Sequence, residues 1–420
     1  MKVRITPLNI VSLASGFNGT AKVIDENIHK LNIIEELSDF KPDIVFLSFN
    51  TISYNYVKSL CNIIRNFDKN ILIVLGGCHA SSKPSETLRD TKADIVVVGE
   101  GESFIKEGNF KKQRGIVYSK PISNLDDLPM PKWDLIDVND YDSSRLYAKN
   151  NPSCLLESSR GCPHRCYYCN KSVFGYKIRG KTVNRIIEDI SSCMSYGFKE
   201  FSFADDFFNY NIKRAIDICK KINEMKINIS WTLNNGMRVD NVNEELFRSL
   251  NKAGCYRTSF GIESGNQKVL DSINKGTKLD QIKNAVELCN KNNILTVGFF
   301  IIGLPEDNKE TVRETIDFAK KLPLDYIRFS VFMPQVSTEL WDLFKDRINK
   351  NVNYDDIRYL PNKQLYDHPN LEWNEILEFM DIAYNEFYLR PSYILRRLKT
   401  DIFNGYLIDD IKGFLGTKWR

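Results

Sequence analysis

Between Cys154 and Met333 the chain alternates, six times in succession, a short apolar run with a longer amphipathic stretch. The runs lie near Leu155 to Ser158, Glu200 to Ala204, Ile229 to Leu233, Arg257 to Ile262, Leu295 to Ile302 and Tyr326 to Phe332. Too short for helices and apolar on both parities, they read as strands buried on both faces. Each parallel strand needs a crossover to reach the next, so six βα units in a row predict a (β/α)6 partial TIM barrel. Chemistry in parallel barrels sits at the carboxyl ends of the strands, which directs attention to the residues just after each run.

A second alternation precedes this one. Lys22 to Asp25, Asp43 to Phe49, Asn70 to Gly77 and Asp94 to Gly99 read as strands, with crossover helices over Asn55 to Asn66 and Ser85 to Lys92. The pattern predicts an N-terminal doubly wound parallel sheet, so the fold class is α/β throughout. Its strands end in Leu75-Gly76-Gly77-Cys78-His79 and Val98-Gly99-Glu100-Gly101, where open sheets hold ligands, although glycines also serve simply to end strands. Pro121, Pro129 and Pro131 with Asp126 and Asp127 mark a linker. The expected parts are 1–120, a linker over 121–149, the barrel over 150–335 and a helical C-terminal region over 336–420. In that last region Asn374 to Leu389 forms an amphipathic helix. Trp373, Phe379, Phe387, Tyr388 and Tyr393, with Arg390, Arg396 and Arg397, either close over the barrel mouth or pack as core.

At 420 residues the chain has room for two or three domains, and 58 Lys plus Arg against 54 Asp plus Glu leave a charge of only +4. That balance supplies no basic stripe for a phosphate backbone, which argues against nucleic acid. The longest apolar stretch, Ile294 to Pro305, is broken by Thr296, Gly298 and Gly303, so no membrane span is expected. Leu8 to Ala14 is interrupted by Asn9 and Ser12 and is not read as a signal peptide. Ten cysteines scattered over the chain suit a reducing cytoplasm better than a disulfide framework.

Three of those cysteines lie together. Ser159-Arg160-Gly161-Cys162-Pro163-His164-Arg165-Cys166-Tyr167-Tyr168-Cys169 follows the first barrel strand and carries a CxxxCxxC spacing. A 4Fe-4S cluster normally takes four thiolates, so one held by Cys162, Cys166 and Cys169 leaves an iron free for an outside molecule. The competing arrangement is a zinc site completed by His164, which would make this a non-catalytic, zinc-stabilised interaction protein.

This motif, on the loop after strand one of such a barrel, resembles the radical S-adenosylmethionine enzymes. The resemblance extends to Glu157-Ser158-Ser159-Arg160-Gly161, Phe203-Ala204-Asp205-Asp206, Phe260-Gly261-Ile262-Glu263-Ser264-Gly265 and Phe300-Ile301-Ile302-Gly303-Leu304-Pro305-Glu306. Those segments are similar to the subgroup with an N-terminal cobalamin-binding domain, which includes anaerobic magnesium-protoporphyrin ester cyclases and many C-methyltransferases. The resemblance implies a cluster that cleaves S-adenosylmethionine by one electron, from a flavodoxin or ferredoxin, to act on an unactivated carbon of a small or medium organic substrate. The reaction would be cobalamin-dependent methyl transfer, or a cobalamin-free cyclisation, rearrangement or dehydrogenation.

Residue roles follow from it. Asp205 and Asp206 would accept from the substrate ammonium, unless one of them caps the helix after Asn211. Glu263 and Ser264 suit ribose hydroxyls or the methionine carboxylate shell, and Arg238 would pair that carboxylate or form a surface salt bridge. Tyr168 would lie against the adenine, and Gly303 would admit a flat ring or simply pack tightly. Ser48, Thr51, Gly76, Gly77, His79, Gly99 and Glu100 are the candidate cobalamin residues. The N-terminal sheet lacks a DxHxxG motif, only Met1 to Thr6 precede Pro7, and Met333 to Thr338 departs from the Pro-Gly-Thr turn of relatives.

Overall fold

The computed structural model describes residues 3–28, 32–226, 229–349, 352 and 363–404, so the end of the C-terminal region beyond 404 lies outside the described residues. Four parallel strands, β1 (Ile44–Ser48), β2 (Leu72–Gly76), β3 (Ile95–Val98) and β4 (Gly115–Tyr118), pair in chain order. Strand alternation divides their side chains between two cores. Ile73, Leu75 and Val96 pack with Val57, Leu60, Cys61 and Ile64 of the helix Tyr54–Phe67 on one face. Leu72, Val74, Ile95 and Val97 pack with Phe104, Ile105 and Phe110 on the other.

Two expectations about this sheet are corrected. Lys22 to Asp25 is not a strand: Ile24 is exposed, Val23 packs against the barrel core, and Asp25 accepts from the Tyr141 hydroxyl at 3.1 Å. Two apolar residues on opposite faces leave too little to bury as an outer strand. Nor, among the described residues, is there a strand before Pro7, where the few residues preceding it would suit only a short first one. Arg4 and Thr6 instead bond to Ser143 and to Leu155 at the barrel, and Leu8–Gly16 is a helix.

The residues after Pro121 form three short 3-10 turns that lie over the barrel helix Val183–Ser195, with Trp133 buried against Phe198 and Asp126 accepting from Thr182 N. Then follow β5 (Ser153–Leu156), a two-residue antiparallel ladder of β6 (Ser159–Arg160) and β7 (Arg179–Gly180), and five further strands. These are β8 (Glu200–Phe203), β9 (Ser230–Met237), β10 (Cys255–Glu263), β11 (Leu295–Ile302) and β12 (Tyr326–Val331). The parallel sheet runs β5-β8-β9-β10-β11-β12, with β5 and β12 as its edges. Phe201, Phe203, Trp231, Leu233, Phe260, Ile262, Phe300 and Ile302 face the surrounding helices in one continuous core.

An open edge exposes unpaired peptide groups, and here a helix covers it. Tyr384 and Tyr388, one turn apart on the helix Trp373–Tyr388, each accept from one β12 amide and donate to its carbonyl. Tyr384 meets Phe329 N at 3.0 Å and Phe329 O at 3.1 Å, and Tyr388 meets Ile327 N at 3.0 Å and Ile327 O at 3.2 Å. Four helical residues rise about 6 Å and two strand residues about 6.6 Å, which is why the spacings match. Tyr393 and Arg396 bond to the carbonyls of Asp325 and Leu324, and Arg397 to the Asp325 carboxylate, just before β12. From Tyr384 onward the C-terminal segment therefore clasps the side and base of the barrel, while Trp373 packs on Tyr366 beside Gly303 at the carboxyl end of β11. Tyr384→Phe or Tyr388→Phe leaves an amide and a carbonyl short of a partner, so each should cost about 1–3 kcal/mol in urea denaturation. An unmoved midpoint in the double variant would show that the clasp contributes nothing.

Candidate active site

The cysteine loop leaves the β6–β7 ladder and returns to it. Gly161 opens the loop at a φ of +83°, where a Cβ would strike the Lys177 carbonyl, so both conformation and space require glycine. The loop is held at several points. Tyr167 N donates to Ile273 O at 3.0 Å, Leu340 N to Tyr167 O at 3.1 Å, and Asn274 Nδ2 to Arg165 O at 2.7 Å.

Each pair among the three thiols shares a charged or polar neighbour. Burial works against the Lys171 charge, yet Cys169, Cys162 and Asp206 hold its pKa above the ordinary lysine value. Arg238 is likewise raised against burial, by Asp240 and then by Cys166 and Cys162. Burial pushes the Tyr168 phenol up, with Glu263, Cys166 and Cys169 adding to it. Cys162 and Cys169 thus meet at Lys171, Cys162 and Cys166 at Arg238, and Cys166 and Cys169 at Tyr168. Three thiols at CxxxCxxC spacing on one loop, with Lys171 and Arg238 as cations coupled to them, form a donor set whose chemistry fits an anionic iron–sulfur cluster. Burial raises the Cys169 pKa, partly offset by Lys171. Among the described residues no three Cys, His, Asp or Glu side chains converge on a single ion. His164 instead packs edge-on against Phe207, ring centroids 5.1 Å apart, and the Cys3His zinc arrangement finds no support.

Around this loop the carboxylates divide into two kinds. Asp205 is buried and accepts from Ser158 N at 2.7 Å, Ser158 Oγ at 2.5 Å and Ser159 Oγ at 2.6 Å, with burial raising its pKa. Its oxygens are committed to the strand leading into the loop, which corrects the expectation that it meets a ligand ammonium. Asp206 is exposed, accepts from Gly161 N at 3.2 Å and remains open beside Asn235, whose amide donates to the Asp205 carbonyl at 2.9 Å. Neither aspartate caps the following helix; Asn211 does.

At the end of β10, Glu263 has a φ of +66° and accepts from Lys275 Nζ at 2.7 Å and the Tyr168 hydroxyl at 3.0 Å. A side chain at Gly261 would run into both Glu263 and Lys275, so that glycine makes room for the pair. Arg238 pairs with Asp240 through two bonds of 2.9 and 2.7 Å and donates to Lys275 O at 3.0 Å. Ser264 is buried and its hydroxyl bonds to Thr315 Oγ1 at 3.0 Å, so it is engaged inside the protein, a second correction. At Gly303 the second of the two alternatives holds: its φ is +90° and the Tyr366 hydroxyl lies 2.7 Å from where its Cβ would stand, so conformation and tight packing both require glycine.

The turn after Gly303 hangs on Asp307, which accepts from Gly303 N and Leu304 N at 2.9 Å and from Thr311 Oγ1 at 3.1 Å. Burial nevertheless raises its pKa to about 6. A raised carboxyl pKa favours the protonated fold, so this group's contribution is full below pH ~4 and is lost as pH rises through about 6. Relative to Asp307→Asn, the wild type should lose about 2–3 kcal/mol between pH 4 and 7, read from denaturation at each pH. A pH-independent difference would contradict this.

Across the mouth stands the carboxyl edge of the N-terminal sheet. Asn170 Nδ2 donates to Ser82 Oγ at 2.7 Å and to Val336 O at 2.8 Å, and Ser172 Oγ lies 2.9 Å from Ser82 Oγ. Gly76 faces open space, Gly77 lies close to the Phe49 backbone, and Gly99 lies near Ser119 and Val173. Ser48 accepts from Asn9 at 3.1 Å, and Thr51 bonds to His79 Nδ1 at 3.1 Å. His79 is fully buried, 4.4 Å from the Tyr54 ring centroid, and burial with Lys83 lowers its pKa to about 4. It is a core residue and not a ligand-facing one. Glu100 is also buried and pairs with Arg160 and Arg179. Lys275, Lys171, Asn235 and Asp240 were not expected from sequence; only Lys171, two residues past the motif, carried a local signal.

Residues 156–319 match the family model described as the radical SAM superfamily, and residues 2–107 the one described as the B12 binding domain. An uncharacterized methyltransferase of Pyrococcus horikoshii is 33% identical, over 97% of this chain and 93% of its own. The anaerobic magnesium-protoporphyrin IX monomethyl ester cyclase of Rubrivivax gelatinosus is 26% identical, over 91% and 72%. Among solved structures, the radical S-adenosylmethionine methyltransferase TsrM of Kitasatospora setae, with cobalamin and a 4Fe-4S cluster bound, superposes with a TM-score of 0.71. It is 15% identical, covering 90% of this chain and 88% of its own, a likeness of fold.

Proposed function

This chain belongs to the radical SAM superfamily and carries a B12-binding domain ahead of its barrel, and we propose that it methylates an unactivated carbon of an organic substrate with cobalamin as the methyl carrier. The observation that carries the reading is the CxxxCxxC loop of Cys162, Cys166 and Cys169, which follows the first barrel strand and whose neighbour Asn170 bonds to Ser82 at the carboxyl edge of the N-terminal sheet. When bound, the cluster supplies the electron that cleaves S-adenosylmethionine, and the corrin supplies a transferable methyl group.

The chain's own residues bind and orient. Cys162, Cys166 and Cys169 would hold the cluster, with Lys171 and Arg238 offsetting its negative charge. Asp206 and Asn235 offer open acceptors to an ammonium, and Tyr168, held by Glu263 and Lys275, offers a ring to the adenine. A corrin would rest on the strand ends around Gly76, Gly77 and Gly99. Substrate would enter beside β11 and β12, where Val297, Phe299 and Ile301 are half-buried and Arg328 and Ser330 exposed. The electron would come from a flavodoxin or ferredoxin in a reducing cytoplasm, in keeping with ten free thiols. Among the described residues no helix is long and apolar enough to cross a membrane.

One observation favours a cobalamin-free cyclisation, rearrangement or dehydrogenation instead: Ser48, Thr51, His79 and Glu100 are all engaged inside the protein. Anaerobic loading with hydroxocobalamin, followed by desalting, decides between the two. Retained corrin, with S-adenosylhomocysteine formed alongside 5′-deoxyadenosine on turnover, is expected. Protein free of corrin that forms 5′-deoxyadenosine alone would overturn methyl transfer.

A further inference from the structure

The β6–β7 ladder that closes the cysteine loop places Arg160 directly opposite Arg179. Like charges facing each other across a ladder repel, and a buried guanidinium is stable only when paired. Both side chains are buried, at 5% and 7% exposure. The charge between them comes from the other domain. Glu100, in the turn after β3, brings Oε2 to 2.8 Å from the Arg160 guanidinium, and its Oε1 makes an ion-pair contact with Arg179 at 2.6 Å. Arg160 is completed by Glu102 at 2.6 Å and Glu157 at 2.8 Å, and its guanidinium lies 5.0 Å from the Phe174 ring centroid.

We propose that Glu100 is a positioning residue for the metal-binding loop: the N-terminal domain closes the base of that loop by placing one carboxylate between two opposed arginines. Buried ion clusters add little net stability over an apolar packing of the same volume, but removing Glu100 leaves Arg179 without its carboxylate while Arg160 keeps Glu102 and Glu157, which is what enforces a single geometry at the ladder. Glu100 therefore gives the N-terminal domain a role in holding the cluster that is independent of any corrin. The inference rests on the reading of Cys162, Cys166 and Cys169 as cluster ligands.

The test uses the full chain, free of corrin and oxygen, as wild type, Glu100→Gln, Arg179→Gln and the double variant. Iron and sulfide are counted after reconstitution, iron loss to a chelator is timed, and backbone hydrogen exchange is followed over residues 159–180. Glu100→Gln should lose iron at least tenfold faster and exchange faster over 159–180, whereas the double variant, with one opposed cation gone, should recover most of the wild-type rate. Wild-type iron retention and exchange in Glu100→Gln would overturn the proposal, as would a double variant no better than Glu100→Gln. Should Glu100→Gln be insoluble, a soluble double variant with wild-type iron retention supports the proposal and an insoluble or leaky one contradicts it. A wild type that takes up no iron refutes the cluster reading instead, and exchange in the metal-free proteins then decides the role of Glu100.

Discussion

Replacing Cys162, Cys166 and Cys169 together by alanine is expected to abolish the brown colour and the four irons and four sulfides per chain that anaerobic reconstitution should give the wild type. Each single replacement should lose most of the iron, since a cluster left with two protein thiolates is under-ligated and the buried cysteines are poor substitutes. Cys61, Cys154, Cys193, Cys219, Cys255 and Cys289 are buried within the two domains, and burial holds the Cys61 thiol up at about 12. Cys78 is the exposed exception, near Asp206. Thiolates are the ligands for iron, so a thiol that resists ionisation in an apolar core is a poor substitute. Full iron and sulfide in the triple variant would refute the assignment. The fold itself should survive, because these residues lie on a loop pinned by the Tyr167 backbone and by the side-chain amide of Asn274.

The second large effect is expected at Glu263. Its carboxylate and the Lys275 ammonium are each about 9% exposed and 2.7 Å apart, with the Tyr168 hydroxyl completing the group. Removing one member of a buried pair strands the other charge, which costs about 3–5 kcal/mol. Glu263→Gln should therefore lower unfolding free energy by roughly that amount, and Glu263→Gln with Lys275→Met should restore much of it. Binding of S-adenosylmethionine should weaken at least tenfold in the single variant, because Tyr168 loses the charged acceptor of its hydroxyl and keeps only Lys275. A single variant as stable as wild type, with unchanged affinity, would mean that the pair holds nothing in place.

Much of this architecture was legible because burial on both faces leaves a strong mark. All six barrel strands and three of the four N-terminal strands appear as runs such as Ile95-Val96-Val97-Val98, and the cysteine spacing is a local signal. The errors at the site have a common cause in side chains that meet partners far away in sequence. Lys275 lies twelve residues from Glu263 with no periodic relation to it, and Glu100 finds Arg160 across a domain boundary 60 residues on. Asp205 and Ser264 occupy strand-end positions that suit a ligand, yet serines and a threonine use them first. Gly76, Gly77 and Gly99 share a sheet edge but not a role: only Gly76 opens on free space. At the C-terminus, Tyr384 and Tyr388 belong to an ordinary amphipathic pattern, and only the bare edge of β12 shows why both are phenols.

A cluster held by Cys162, Cys166 and Cys169 at the barrel mouth would cleave S-adenosylmethionine reductively. The most direct test of this is the nucleoside released when the reconstituted protein is reduced anaerobically with S-adenosylmethionine present. The wild type should form 5′-deoxyadenosine and the triple cysteine variant none. A fully loaded, reduced wild type that leaves S-adenosylmethionine intact, or a cysteine variant that cleaves it equally, would contradict the claim.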